Sequence, residues 1–466
     1  MISFVPKKIS SKAILIYFAS LAVVSVVFIR HAMRLSFMLL GALEVLGFFL
    51  LTMYCSKRWG RVSSKMFIQN IVLMALALRI LWVFFSYFFY INLTGQPFEP
   101  GAADSMGYHD EASWLKLETW NTVWNYLFRR GGVSDSGYCF YLILVYKVFG
   151  TGVILPRLFK VVYSTITCVL IYKLTARSID ESTGRIAALF AVFMPNLIIY
   201  CGLHLKETEM LFLLVAFLER ADYLIRSRRY NFMTIVIPLL LAGSLFFFRT
   251  VLGAIAVLSF VAGMLITSTR IVGRAKRWVS VGLLVVSAFV LAGGAITTEI
   301  EGYYESRTEN QSAKRLEQTR RGNQWAQYAT GTVLAPMMFV MPLTTMVDVD
   351  QQYSQQIIHG GNYVRNFMGF FVLLTLVLVF FVNKEWKNLV LVGSYVVGYL
   401  AVLATSGFAN SERFLLPALP GLIIMWAYGL THLTAKSFRW LNLWLGFVFL
   451  MEVGWAYFKL GSRGLF

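Results

Sequence analysis

Apolar residues run along this chain in long unbroken blocks rather than in the narrow stripes of a soluble helix. Blocks of 17 or more recur from residue 13 to residue 458. Crossing a hydrocarbon core takes about 20 helical residues. One or two such blocks would suit buried core helices, but so many suit only a bilayer, where each backbone polar group must be paired inside its own helix. The pattern predicts 13 spans, near 13–29, 35–54, 67–91, 153–174, 185–203, 208–225, 232–248, 251–269, 278–297, 366–383, 388–406, 413–431 and 440–458. Polar residues collect in short connections between them, with two long exceptions at about 93–152 and 298–365. The expected fold is an all-α polytopic membrane protein without tandem repeats or low-complexity tracts.

Composition agrees. Of 466 residues, 58% are hydrophobic and 14% charged, against about a quarter charged in soluble domains. The net charge of +19 does not point to nucleic acid, because the bases sit in short loops, where Lys and Arg fix topology. Lys57, Arg58, Arg61 and Lys65 share one side with Arg177 and Arg185, with Arg226, Arg228 and Arg229, and with Arg270, Arg274, Lys276 and Arg277. Lys384, Lys387, Lys436 and Arg439 join them. That side is cytoplasmic if the N-terminus is. Arg30 and Arg34 fall on the other side, against the trend.

The first apolar block follows Lys7, Lys8 and Lys12, lacks a small-residue cleavage site, and reads as a signal anchor. Cys55, Cys139, Cys168 and Cys201 are scattered, with neither metal spacing nor a disulfide framework.

Both long segments are then external. The first carries Glu99, Asp104, Asp110, Glu111, Glu118 and Asp135, and its Gly and Trp content marks folded surface structure. In the second, Thr332–Met346 is broken by Pro336 and Pro342. It reads as re-entrant or interfacial, since a crossing would invert every loop charge after it.

Chemistry concentrates on the external side. If residues 104–120 are helical, Asp104, Tyr108 and Glu111 share a face, with His109 beside them. Carboxylates and an imidazole just outside the bilayer suit acid–base work or cation binding. A solvated polar helix capped by Asp104 would show the same residues. In the stretch from Pro195 to Glu209, a span ends at a proline and the next begins with Lys206, Glu207 and Glu209. Acids suit a helix start and a lysine does not. Arg249 is almost the whole turn between two spans, Arg365 precedes another, and Arg413 opens a third in Ser411-Glu412-Arg413. Interfacial arginines snorkel, yet several cations on the side opposed by the topological bias suit an anionic ligand such as a phosphate. His359, before two glycines, is a weaker candidate. Glu44, Arg79 and Lys160 are the notable charges inside spans.

The spacing of Asp104, Tyr108, His109 and Ala112 after the third span resembles the outer-loop motif of GT-C glycosyltransferases. It looks most like the dolichyl-phosphate-mannose-protein mannosyltransferase and aminoarabinose-transferase branch. Tyr141 to Gly150 followed by Pro156-Arg157-Leu158 is similar to that family's membrane-surface helix and the module helix after it. Pro195 to Glu209 resembles its second outer loop, and Ser411 to Pro420 its late outer-end motif. Residues 67–225 carry the likeness well and the C-terminal spans loosely. Two extra spans precede it, the second loop lacks a paired-acid metal motif, and there is no large soluble C-terminal domain.

The resemblance implies a GT-C-like bundle with external juxtamembrane helices in the segment 93–152. It divides the chain into two extra N-terminal helices (1–66), a catalytic module (67–225) and a variable membrane module (226–466). It further implies inverting transfer of a sugar from a polyprenyl-phosphate donor to a hydroxyl of a lipid, glycan or protein, on the external face of a plasma or bacterial inner membrane. Asp104 would be the general base. Lys206, Arg249 and Arg413, with Arg365 as a further candidate, would hold the donor phosphate. Tyr108, His109, Glu111 and Glu207 would orient sugar or acceptor. A divalent metal is possible for such an enzyme, but no residue set here supports one. No glycine-rich nucleotide motif is present. The rival readings are a polysaccharide polymerase or oligosaccharide ligase acting on lipid-linked glycans and, in another class, a lipid or glycolipid flippase, which should show polar or broken helices near mid-membrane.

Overall fold

Long apolar blocks leave the backbone one way to pair its polar groups in lipid, and the chain takes it. The computed structural model describes residues 4–129, 134–227, 231–267, 344–349, 353–383, 386–405 and 412–461, with 282, 342, 464 and 465 singly. Among these residues the one extended pairing is a bridge between Ala32 and Val347; everything regular is helical.

The elements are α1 Lys7–Val27, α2 Leu35–Trp59, α3 Ser64–Thr94, α4 Ala103–Leu115, α5 Trp120–Arg129, α6 Ser136–Phe149, α7 Ile154–Ser178, α8 Glu181–Phe193 and α9 Pro195–Ile199. Then follow α10 Glu207–Arg226, α11 Phe232–Phe248, α12 Thr250–Thr267, α13 Tyr353–Ile357, α14 His359–Val382, α15 Trp386–Thr405, α16 Glu412–Thr431 and α17 Ala435–Gly461.

Nine of these are long and apolar enough to cross a membrane, or ten if the pair formed by Glu181–Phe193 and Pro195–Gly202, bent by 53°, is one span. The described residues therefore give nine or ten where the sequence predicts 13. The difference has identifiable sources. The span expected at 185–203 is this bent pair, because Pro195 cannot donate to the helix before it. The span expected at 208–225 is α10, whose six charged residues between Glu207 and Arg226 remove it from a strictly apolar set. The span expected at 232–248 is a helix of 17 residues. The one expected at 278–297, and most of Thr332–Met346, lie outside the described residues.

Helices α7, α8, α3 and α10 pack together, and α16 packs between α8 and α14. α1 and α2 lean on α17 and α14. The helix expected to begin at 366 begins at His359. Gly360 and Gly361 do not form a turn there. They let the start of α14 close on its neighbours, since a Cβ on Gly360 would stand 2.6 Å from the Glu44 carboxylate and one on Gly361 2.5 Å from Asn196 Oδ1. His359 is buried; its Nδ1 donates to the Gln356 carbonyl at 2.7 Å, which leaves Nε2 to accept from the Tyr17 hydroxyl at 2.9 Å.

Among the described residues, basic side chains close the connections at one end, where Arg185 donates to the carbonyls of Trp59, Gly60 and Val62 and Arg226 to that of Asn388. α4, α5 and α6 fill the segment between α3 and α7 at the other end.

Candidate active site

Three helix starts converge at that other end. Asp104 lies in the first turn of α4 and Glu207 in the first turn of α10, both favoured by the partial positive charge of a helix N-terminus. Arg413 is the second residue of α16, where that same partial charge disfavours a cation. It turns away from its own helix, and its Nη1 pairs with Asp104 while its Nε pairs with Glu207. The set grades from open to closed: the side chain of Asp104 is 61% exposed, that of Arg413 19% and that of Glu207 0%. Glu207 anchors the guanidinium from beneath, and Asp104 faces open space.

Two more cations adjoin. Lys206, buried beside Glu207, donates to the carbonyl of Phe248 at 3.2 Å and pairs with Asp135. Arg249 follows Phe248. Its Nη1 donates to the Tyr399 hydroxyl at 3.3 Å, and its guanidinium lies 4.6 Å over the ring of Phe414. Arg249 and Arg413 are therefore neighbours, one on the ring of the residue that follows the other.

Tyr108 stands one turn after Asp104, its ring edge-on to Tyr138 at 5.0 Å. Burial, and then the charge of Glu207, push its hydroxyl up to about 12, so it acts as a neutral hydrogen-bonding group. Glu111 lies further along α4, partly buried. α4 ends at Leu115, short of the helix expected through Trp120, and Ala102 rather than Asp104 precedes its first turn.

His109 points away from the ion pairs, and its Nδ1 lies 2.8 Å from the Tyr146 hydroxyl. That hydroxyl lies 3.0 Å from His204 Nε2, so it donates to one imidazole and accepts from the other. Burial holds His109 below its ordinary value. Burial, with the nearby charges of Lys160 and Arg157, holds His204 well below. Lys160 secures the irregular turn between these histidines and Glu207, donating to the Leu203 carbonyl at 2.9 Å and to that of Leu205.

Arg365 is turned onto Glu412, 3.3 Å from its Oε1. Glu412 also accepts from Asn196 at 2.7 Å and from the Tyr200 hydroxyl at 2.8 Å. Sequence reasoning named none of Glu412, Asn196, Tyr200, Asp135 or His204 as site residues. The available signals were the acid directly before Arg413 and the four-residue spacing of Asn196 and Tyr200 after a helix-breaking proline.

An apolar cavity of about 290 Å³ lies between α2, α3 and the bend at Pro195, lined by Leu43, Leu81, Phe85 and Ile199 among others. Among the described residues, no three His, Cys, Asp or Glu side chains converge as metal ligands. The arrangement therefore offers a carboxylate open to the surface, cations beside it, and an apolar recess next to the broken span that supports them.

Neither a protein-family model nor a curated protein sequence matches the chain. Among solved structures, it is similar to the Archaeoglobus fulgidus oligosaccharyltransferase in complex with Zn and sulfate, at 13% identity and a TM-score of 0.45, over 85% of this chain and 52% of that one. It is also similar to the same enzyme in the apo form, at 10% identity and a TM-score of 0.46, over 86% of this chain and 56% of that one. The chain thus spans about half the length of these proteins, and likeness at this level bears on neither activity nor substrate.

Proposed function

We propose that this membrane protein transfers a sugar from a polyprenyl-phosphate donor to a hydroxyl acceptor, with inversion, on the external face of the membrane. The observation that carries the reading is Arg413 held between buried Glu207 and open Asp104, with Lys206 and Arg249 adjoining. The acceptor oxygen attacks the anomeric carbon as the bond from that carbon to the phosphate oxygen breaks. Asp104 takes the hydroxyl proton, and the prenyl phosphate leaves with the electron pair. Arg413, with Lys206 and Arg249 behind it, stabilises the departing charge, the electrostatic share of catalysis. The guanidinium fork suits two phosphate oxygens. Tyr108 is placed to orient the sugar or acceptor.

The bias of Lys and Arg along the sequence supports the external side, and α4 to α6 are read as lying along the membrane surface there. The full span count of 13 belongs to this reading too. The apolar cavity beside Ile199 has the chemistry of a hydrocarbon chain. The flippase reading loses ground at Arg79, Lys160 and Glu44, three charges inside spans that hold backbone groups.

The test is transfer from a short prenyl-phosphate sugar by the protein in membranes. Asp104→Asn should lower transfer at least ~10²-fold, the usual scale for a lost general base, with donor still bound. Normal turnover by that variant would reject the assignment.

A further inference from the structure

We propose that Glu412 is a positioning residue that aims Arg413, and that Arg365 acts through Glu412 rather than on substrate. The inference rests on the reading of Arg413 as the donor's phosphate ligand and deepens it.

The Glu412 carboxylate is a junction of three elements. Asn196 Nδ2 reaches its Oε1 at 2.7 Å, Arg365 Nη1 reaches the same oxygen at 3.3 Å, and the Tyr200 hydroxyl donates to Oε2 at 2.8 Å. Asn196 and Tyr200 come from the broken span and Arg365 from α14. Asn196 is tied to α14 a second time, through Asn362 Oδ1 at 3.2 Å. The side chains of Arg365 and Glu412 are 2% and 11% exposed, so the junction is closed to a substrate of any size.

Successive residues on an α-helix point about 100° apart. With Glu412 locked toward α9 and α14, the next side chain must leave α16 in another direction, and it leaves toward α10 and α4, where Glu207 and Asp104 receive it. Fixing the residue before it sets the direction from which the Arg413 side chain starts, so Glu207 and Asp104 receive it in one orientation before a phosphate arrives. Pro195 belongs to the same device. Without the bend, α8 would continue straight and carry Asn196 and Tyr200 away from the start of α16.

The test reads Arg413 directly. Protein in lipid nanodiscs is treated with phenylglyoxal, and modification of Arg413 is followed by peptide mapping. Glu412→Gln should raise its rate about five-fold and Tyr200→Phe about two-fold, the scale of one or two lost hydrogen bonds. Unchanged modification in both folded variants overturns the proposal, and Tyr200→Phe alone decides if Glu412→Gln does not fold.

A second measurement separates this from the reading beneath it. Calorimetry with a short prenyl phosphate should show Glu412→Gln weakening binding about five-fold in the parent protein but less than about two-fold when Arg413→Ala is already present, as expected for coupled residues. An undiminished loss on top of Arg413→Ala overturns the positioning role. If Arg413→Ala itself binds the phosphate normally, the phosphate assignment falls, and the modification rates still decide whether Glu412 aims Arg413.

Discussion

Arg79 reaches from α3 to the backbone of α8, where its Nη2 donates to the carbonyl of Ala191 at 3.1 Å. Pro195 stands four residues later and has no N–H, so that carbonyl has no helical partner. Nη1 covers the Val192 carbonyl at 3.3 Å and Nε holds Ser164 Oγ at 2.7 Å. Five donors in a fixed fork can satisfy several acceptors at once where no water is available. Lys160 does the same for Leu203 and Leu205, and Glu44 accepts from the Gly361 N–H at the start of α14 at 2.7 Å. Arg79 and Lys160 thus each satisfy carbonyls at a break in the helical backbone, and Glu44 caps a helix start.

Arg79→Met should therefore destabilise the protein more than a lost surface charge would. It leaves the Ala191 and Val192 carbonyls without partners, and each buried orphan costs about 1–3 kcal/mol. Equilibrium unfolding in detergent should show a loss of about 3 kcal/mol or more, the sum over two such groups. A variant within about 1 kcal/mol of the parent would mean that water or a neighbouring side chain takes over.

Acid should weaken the fold through the histidine pair. His109 and His204 are both held below the ordinary value of 6.5, first by burial. Lys160 and Arg157 press on His204, and Arg157 opposes Asp110 at His109. A depressed histidine leaves the unfolded chain binding more protons, so stability is fully present above about 6.5 and falls as pH drops below it. Melting temperatures should be flat from pH 8 to 7 and decline beneath 6.5, with His204→Gln flattening the decline. A slope that is unchanged in that variant would assign the acid sensitivity to other groups.

Much of the bundle is legible in the chain because a 20-residue apolar block has few other uses. The bend at Pro195 is half legible: the proline announces a break, but neither its 53° angle nor the donor to the carbonyl it leaves bare is readable, since Arg79 sits 112 residues from that carbonyl. Gly360 and Gly361 read as a loop because their value is close approach, which only the neighbours Glu44 and Asn196 reveal. The acids and cations of the site could be named one by one from residue type and sidedness. Their pairing could not, since Asp104 and Arg413 are 309 residues apart. Glu412 was hidden for the same reason, with its partners on the broken span and α14.

Sidedness can be read with cysteine probes, because Cys55, Cys139, Cys168 and Cys201 are all buried and should stay silent. Leu117 is 79% exposed just past α4, and Lys65 is exposed at the start of α3. A membrane-impermeant maleimide should label Leu117→Cys in intact cells and Lys65→Cys only after the membrane is opened. The reverse result would place the ion-pair cluster in the cytoplasm and remove the external reading.

Asp104 has two roles that pull against each other. As the base it must be free to take a proton, yet without donor it occupies Nη1 of Arg413, the group that a phosphate would use. A phosphate bound there displaces the carboxylate and releases it toward the acceptor, so donor should bind before acceptor. Glu207, fully buried on Nε, keeps the guanidinium in place during the exchange. Asp104→Ala should consequently bind a short prenyl phosphate more tightly than the parent, by about two- to five-fold, the scale of an ion pair half open to solvent, while transfer is lost. Raising the salt concentration should shrink that gain, because an exposed pair is screened. A base that did not compete with the donor would leave binding unchanged on removal, and a carboxylate that helped hold the donor would weaken it. Either result would separate Asp104 from the phosphate site and leave Arg413 without its proposed exchange.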